Sequence, residues 1–489
     1  MRRPRSVPVE VGQELSLDAD AFGDGPDVLC RVDDYIVFVA GGIPGERLRV
    51  RITSAARKFG RASLLRVERP SPQRAKPRCR HFGRCGGCQL QHVDPDLQRQ
   101  SRADRLARTL RHTLGRDVPI SATLAPKESY GHRTKLALAA GLRREGLVTG
   151  MFALRSRELI AIEECPAHDP LGFALGRRAS DAANGAGLVP FDVHTGHGEL
   201  RAIVVRSAPA TGQTALTFVM QRTPPPPSLV AELAPHATTI AWNRNDGPPE
   251  RLLGRRTIVL HGPPRIADRI AGLHLATSPG AFFQTSAFGA GALVEAVRAR
   301  VPAAPNATVV DLYCGGGLLG LAVADRVGTV IGIEENEVGV EDAIASAKAN
   351  RFTNTRFVAD RVETGITALV RDRVQPGVVL LDPPRAGADP RVLAAIGREL
   401  VPKRIVYVSC DPAALGRDAA ELESFGYALA DVQPVDMFPH THHVEAIATF
   451  DRRVGGTGPT LAAAKRLLDR ARFTPPKDRR TVPPLFPTV

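Results

Sequence analysis

No stretch of the sequence approaches the roughly 20 consecutive apolar residues that a membrane-spanning helix requires; the uncharged run 312–324 is glycine-rich and ends at Asp325. The opening residues, MRRPRSVPVE, carry charge but no apolar segment of the kind that starts a secretory signal, so the chain is expected to stay in the cytoplasm. Cysteine is sparse and odd in number, seven residues at 30, 79, 85, 88, 165, 314 and 410. That is no disulfide framework, and in a reducing compartment it points to ligands and nucleophiles. Aromatic residues make up only 5%, and acids are outnumbered 51 to 65 by Lys and Arg, leaving +14 and a pI near 10. With 43% apolar and 24% charged residues over 489 positions, neither a disordered tail nor a membrane protein fits. At roughly 100 to 200 residues per domain, about two to four domains are expected.

The positive charge is uneven. Between Arg51 and Arg80 stand ten Lys or Arg and one acid, Glu68. Such clustering suits a polyanionic partner, because several cations on one surface gain together from phosphate neutralisation. Residues 12–70 alternate apolar and polar over VLCRV, YIVFVA and RLRVRIT, which reads as a small antiparallel β-barrel. Pro70, Pro72 and Pro77 then break any regular element and place a first boundary near residue 71. Asp94 and Pro95 offer a cap and a first helical residue for a basic amphipathic helix over 94–115 that can pack on the C-terminal domain. Residues 120–270 are again β-rich (KLALAA, LRAIVVRS, ALTFVM, TIAWN, RTIVL). The domains are read as 1–70, 71–275, 276–452 and a basic, proline-rich tail over 453–489.

From Thr308 the pattern becomes strand, turn, helix, repeated: TVVDLYCGGG, TVIGIEEN, TRFVADR, VVLLDPPR and RIVYVSCDP. Apolar strands separated by helices predict a doubly wound, mostly parallel α/β sheet of Rossmann-like type. DLYCGGGLLGL (311–321) supplies a strand end, a bare-backbone turn and a helix start, where a nucleotide-like cofactor can approach. About twenty residues later Glu334 ends the second strand, placed to hold ribose hydroxyls. The GxGxxG register of dinucleotide binders is absent, which favours S-adenosylmethionine over a nicotinamide cofactor. In LLDPPR (380–385), Asp382 and two prolines form a rigid turn at the carboxyl edge of the sheet, and Cys410 in YVSCDP ends the next apolar strand at the same edge. A cysteine at that edge is read as a nucleophile rather than an inert core residue. His440, His442 and His443 in DMFPHTHHVE lack a spacing that would aim them at one metal.

Cys79, Cys85 and Cys88 fall within ten residues, and Cys165 in EECPAH is the obvious fourth ligand. Four thiolates suit zinc or an iron–sulfur cluster, and ligand type alone does not choose between them. The C-x3-C-x2-C spacing of radical-generating clusters is absent, so no redox turnover is expected.

The ordered set AFFQTSAF, DLYCGGG, GIEEN, DPPR, SCDP and PHTHHVE resembles the RNA uridine-C5 methyltransferases, over residues 12 to about 450. That resemblance implies an S-adenosylmethionine-dependent enzyme forming 5-methyluridine, with Cys410 adding to uracil C6 and Glu445 removing the C5 proton. Gln284, Tyr313, Glu334, Asp360 and Asp382 would line the cofactor site, Asp382 also reading the pyrimidine edge, and Phe282 would stack on a flipped base. The N-terminal barrel resembles the family's OB-like TRAM domain. Cys79, Cys85, Cys88 and Cys165 match the ligands of a [4Fe-4S] cluster in a central β-rich domain. Barrel and cysteines together point to the branch acting on 23S ribosomal RNA, with no membrane and no obligate protein partner. The alternatives are a transfer-RNA 5-methyluridine enzyme, an RNA 5-methylcytosine enzyme, against which the lack of a cysteine near DPPR argues, and a non-catalytic RNA-binding factor.

Overall fold

The computed structural model describes residues 7–144, 146–248 and 250–453; the tail expected over 453–489 lies, past its first residue, outside them. Five strands close an N-terminal barrel: β1 (Glu14–Phe22), β2 (Val28–Val32), β3 (Tyr35–Ala40), β4 (Arg47–Ala55) and β5 (Phe59–Arg69), in the order β1-β2-β3-β5-β4. Period-two patterning builds it: Val37 and Val39 of β3 and Leu48, Val50 and Ile52 of β4 all point inward and are buried. Cys30 lies among them as a core residue. The barrel is not wholly antiparallel as expected, since β3 and β5 close it by parallel pairing around the intervening β4. The cationic cluster is also less free than composition suggests. Arg51, Arg61, Arg69 and Arg80 meet Glu14, Asp27, Asp18 and Glu163, Arg66 meets Glu68, and Arg74 closes on the fully buried Glu46 at 2.6 Å. Arg57, Lys58, Lys76 and Arg78 form no ion pair among the described residues.

Helix α1 (Pro95–Leu114) starts on the Asp94 side chain, which accepts from the Asp96 amide, and stops at Gly115 in the left-handed region, φ +70°. Its Leu106, Leu110 and Leu114 join the core of the C-terminal domain. The central domain is a seven-stranded sheet of β6 (Lys135–Arg143), β7 (Gly146–Phe152), β8 (Leu159–Ala161), β9 (Leu200–Ala208), β10 (Gln213–Met220), β11 (Thr239–Arg244) and β12 (Arg256–His261), in the order β12-β11-β10-β9-β6-β7-β8. Helices α2 (Pro170–Gly185) and α3 (Pro227–Leu233) pack on it, the latter opened by the end of the proline run. A hairpin of β13 (Ile266–Ile270) and β14 (Leu273–Thr277) leads on to α4 (Ala287–Arg300).

The C-terminal sheet runs β17-β16-β15-β18-β19-β21-β20. Its elements are β15 (Ala304–Leu312), α5 (Leu318–Leu321), β16 (Val327–Glu334), α6 (Glu337–Ala349), β17 (Thr355–Ala359), α7 (Val362–Arg371), β18 (Val378–Leu381), α8 (Pro390–Ala395), β19 (Arg404–Ser409), α9 (Pro412–Ser424), β20 (Tyr427–Val435) and β21 (Glu445–Arg452). The first five strands pair in parallel, while β21 runs antiparallel to both its neighbours. Apolar clusters cover both faces, one shared with α1, α7, α8 and α9, the other with α4 and α5. A doubly wound parallel sheet presents its carboxyl ends to ligands at the point where the strand order reverses, here between β15 and β18. No helix among the described residues is long and apolar enough to cross a membrane.

Candidate active site and cysteine cavity

The turn after β15 places Tyr313, Gly315 and Gly317 at φ +62°, +51° and +79°, so the chain reverses with bare backbone at its crest. The Gly315 amide donates to Glu334 Oε2 at 3.0 Å, and the Asn336 amide donates to the other oxygen at 2.9 Å, so the end of β16 is tied to this turn. Asp360 follows, its amide donating to the Glu334 carbonyl at 2.9 Å and its own Oδ1 accepting from the Arg361 amide. The Tyr313 hydroxyl reaches the other way and accepts from the Asp389 amide at 3.5 Å. Beneath the turn lies Asp311, fully buried, a residue the sequence reading passed over as part of an apolar strand. Its Oδ2 accepts from the Gly320 amide at 2.8 Å, while Oδ1 has no partner among the described residues. Burial, against the pull of that amide and with help from Asp382 and Glu334, pushes its carboxyl up to about 8.

Asp382, Cys410 and Glu445 come together at the ends of β18 and β19 and the start of β21, with Gln284 Nε2 donating to Asp382 Oδ2 at 3.3 Å. Burial pushes the Cys410 thiol up to about 12, reinforced by the charges of Glu445 and Asp382 and opposed by the Arg385 guanidinium. Burial raises Asp382 as well, with Glu334 adding to it, and it raises Glu445 well above the carboxylate range, with Asp382 adding and Arg385 opposing. Two buried carboxyls in one pocket cannot both ionise cheaply, so they share protons between them. Phe282 is 59% exposed, whereas Phe283 turns into the domain core under the Arg206 guanidinium, 5.7 Å from its ring centre.

The segment leading into β21 is held by α1. Arg102 donates to Asp436 Oδ1 at 2.6 Å and to the Thr441 carbonyl at 2.8 Å, and both charged side chains are buried. Gln98 Oε1 accepts from the His440 amide, and Arg105 donates to the His442 carbonyl and to the barrel's Asp24 carbonyl. The three histidines do not gather around one point. His440 stacks near Tyr130, His442 lies against His443, and His443 Nδ1 faces Arg385 at 3.5 Å. Burial is the main cause that pushes their rings down, to about 4, 4 and 2, so all three are neutral near pH 7.

Cys79, Cys85, Cys88 and Cys165 line one small cavity, the first three on the loop before α1 and the fourth on the loop between β8 and α2. Gly86 makes this approach possible. Its amide donates to the Phe152 carbonyl, and a Cβ there would meet that oxygen at 2.9 Å. Burial raises the thiols of Cys79, Cys85 and Cys165, Cys85 to about 11, and Arg133 opposes this at Cys85 and Cys165. Among the described residues, no three His, Cys, Asp or Glu side chains stand as a set able to hold a metal ion.

Residues 273–453 match the family described as tRNA (Uracil-5-)-methyltransferase, and residues 8–65 match the TRAM domain. An uncharacterized RNA methyltransferase of Listeria innocua is 30% identical over 451 residues, covering 91% of this chain and 98% of the relative. One from Bacillus cereus is 32% identical, covering 92% and 99%, and one from Gloeobacter violaceus is 33% identical, covering 90% and 97%. Among solved structures, the Pyrococcus abyssi tRNA (uracil-54, C5)-methyltransferase in complex with S-adenosyl-L-homocysteine superposes with a TM-score of 0.70. It is 25% identical and covers 89% of this chain and 99% of that one.

Proposed function

The chain belongs to the S-adenosylmethionine-dependent RNA (uracil-5-)methyltransferase family, and from that premise we propose that it forms 5-methyluridine in 23S ribosomal RNA through a covalent bond between Cys410 and the target base. The observation that carries the covalent mechanism is the grouping of the half-buried Cys410 thiol with the half-buried Asp382 and the buried Glu445 carboxyls, beside a glycine turn closed by Glu334.

Uracil C5 is a poor nucleophile, and a thiolate bonding to C6 makes it reactive by moving an electron pair into a C5–O4 enolate. Cys410 supplies that sulfur, and Arg385 is the cation that favours its ionised form. S-adenosylmethionine, when bound, supplies the methyl group as a sulfonium. Gly315, Glu334, Tyr313 and Asp360 are the groups that would hold it at the carboxyl ends of β15 to β17. Once C5 carries the methyl group, Glu445 as carboxylate takes the C5 proton, the C6–S bond breaks, and its electron pair returns to Cys410. Asp382, oriented by Gln284, accepts from the N3–H of uracil, a donor that cytosine lacks. Phe282, exposed two residues before Gln284, would stack on the extruded base.

Cys79, Cys85, Cys88 and Cys165 would hold a [4Fe-4S] cluster, whose chemistry here is to brace the loop before α1 against the central sheet. Four thiols around one small cavity are a donor set that suits an iron–sulfur cluster or zinc, and the cluster is the one that the likeness of the sequence to its family implies. A second reading, transfer RNA, is favoured by the likeness to the Pyrococcus abyssi tRNA (uracil-54, C5)-methyltransferase. Radiolabelled methyl transfer to unmodified transcripts separates the two. The proposal expects 23S ribosomal RNA to be labelled and transfer RNA to stay blank; the reverse result would replace it with the second reading.

A further inference from the structure

A cavity of about 600 Å³ opens where the barrel, the cysteine loop, the central sheet and the C-terminal domain meet. It is continuous with the active site, because Thr285, next to Gln284, lines it together with Arg385 and His443. Its size falls in the range of about 300–1,000 Å³ that encloses small ligands. Part of its wall is apolar, built from Ala137 and Ala139 of β6 with Leu252 and Leu253, and Ala137 and both leucines pack on one buried cluster. Its charge is of one sign: Arg133, Lys135, Arg155 and Arg385 line it, and no carboxylate does.

These cations are not equivalent. Arg155 is balanced by Asp27 at 2.9 Å, and Arg133 donates to the Gly87 carbonyl at 2.6 Å and faces the Cys88 sulfur. The Lys135 ammonium makes no ion pair or hydrogen bond among the described residues. Burial, together with its cross-strand neighbour Arg206, pushes it down to about 8. An ammonium taken out of water without a counter-ion costs free energy, and that cost is recovered when a ligand brings the anion. In an enzyme acting on RNA, the anion with an attached flat base is a nucleotide.

We propose that this cavity seats the RNA strand next to the target nucleotide, with a phosphate oxygen on the Lys135 ammonium and a base against the apolar wall of Ala137, Ala139, Leu252 and Leu253. This rests on the reading of the chain as an RNA methyltransferase. The mode of contact is electrostatic and sequence-independent, so it sets affinity and position rather than the choice of base.

The test uses the full chain and a fluorescein-labelled 20-nucleotide oligouridine, with binding followed by anisotropy over a salt series. Lys135→Met should weaken binding about tenfold near physiological salt and flatten the log K against log salt slope by about 0.7, the share of one phosphate on a single strand. Lys135→Arg should keep both, and S-adenosylmethionine affinity should not move in either variant. Wild-type affinity and slope in Lys135→Met would overturn the proposal. Should Lys135→Met fail to bind S-adenosylmethionine, the wild-type protein answers instead. Oligouridine should shield Lys135 from reductive methylation read by mass spectrometry, and equal modification with and without it would overturn the proposal. Neither arm uses methyl transfer, so failure of the enzymatic reading would show separately, as wild-type protein that labels no RNA.

Discussion

Cys410, Asp382 and Glu445 place opposing demands on one another, and the pocket resolves them only when it is filled. In the free site the thiol is held protonated, with a pKa of about 12, by burial and two acidic neighbours. Thiolate formation therefore gains with rising pH, and the later proton removal gains as Glu445 ionises, although that same charge opposes the thiolate. We expect kcat/KM for RNA to climb from pH 6 to pH 9 with no plateau; a bell with its maximum near pH 7 would contradict this assignment. Replacing Glu445 with Gln leaves the C5 proton in place, so denaturing gels should show a protein–RNA adduct that persists, and Cys410→Ala should show none. Asp311 allows a stability test. Its folded pKa of about 8 exceeds its value of about 3.9 in the unfolded chain, so the folded state binds the extra proton between those limits and stability falls as pH rises through them. Asp311→Asn removes that loss, up to about 1.4 kcal/mol per pH unit, and should flatten the decline of Tm between pH 5 and pH 8. Cys410, Asp382 and Glu445 were legible because each interrupts or borders an apolar strand at a turn. Asp311 was not, because an acid inside VVDLY reads as one more strand residue until the amide of Gly320 is found on it.

Helix α1 shows what spacing can and cannot deliver. Its Asp94 cap, its Pro95 start and its leucine stripe are written in the local sequence, as is its end at Gly115. Its role is written elsewhere, since Gln98 Oε1 and the Arg102 guanidinium find partners more than 330 residues away in the segment 436–441. Two polar residues that look solvent-facing on a basic helix are in fact buried and fix the approach to Glu445. Arg102→Met leaves the buried Asp436 with only the Arg99 guanidinium, 3.8 Å away, so a urea melt should show a loss of stability below the roughly 3–5 kcal/mol of a fully unpaired buried charge. Methyl transfer should fall with it in kcat more than in KM, because the displaced group is the base. The same limit applies to the barrel: alternation exposes β2, β3 and β4, while the parallel closure of β3 on β5 depends on which strand ends meet.

Across the whole molecule, the cysteines and the cations are the features in which sequence and fold diverge most. Clustering of Cys79, Cys85 and Cys88 is visible on the line, and Cys165 joins them because the loop between β8 and α2 returns to the same cavity. Protein purified without oxygen should carry about four iron and four sulfide per chain; Cys88→Ser should lose them and melt at a lower temperature, since a ligand bound only to the folded state stabilises it. Of the ten cations between Arg51 and Arg80, six find acids that lie far off in sequence or two residues away, as Arg66 finds Glu68. Net charge alone could not separate these from the ones left for RNA. The central claim is chemical, and tritium release tests it most directly. RNA labelled at [5-³H]uridine or at [5-³H]cytidine is incubated with the protein and S-adenosylmethionine without oxygen. Release from uridine alone, abolished in Cys410→Ala, is the predicted result. Release from cytidine, or methylation of uridine with full activity in Cys410→Ala, would contradict it.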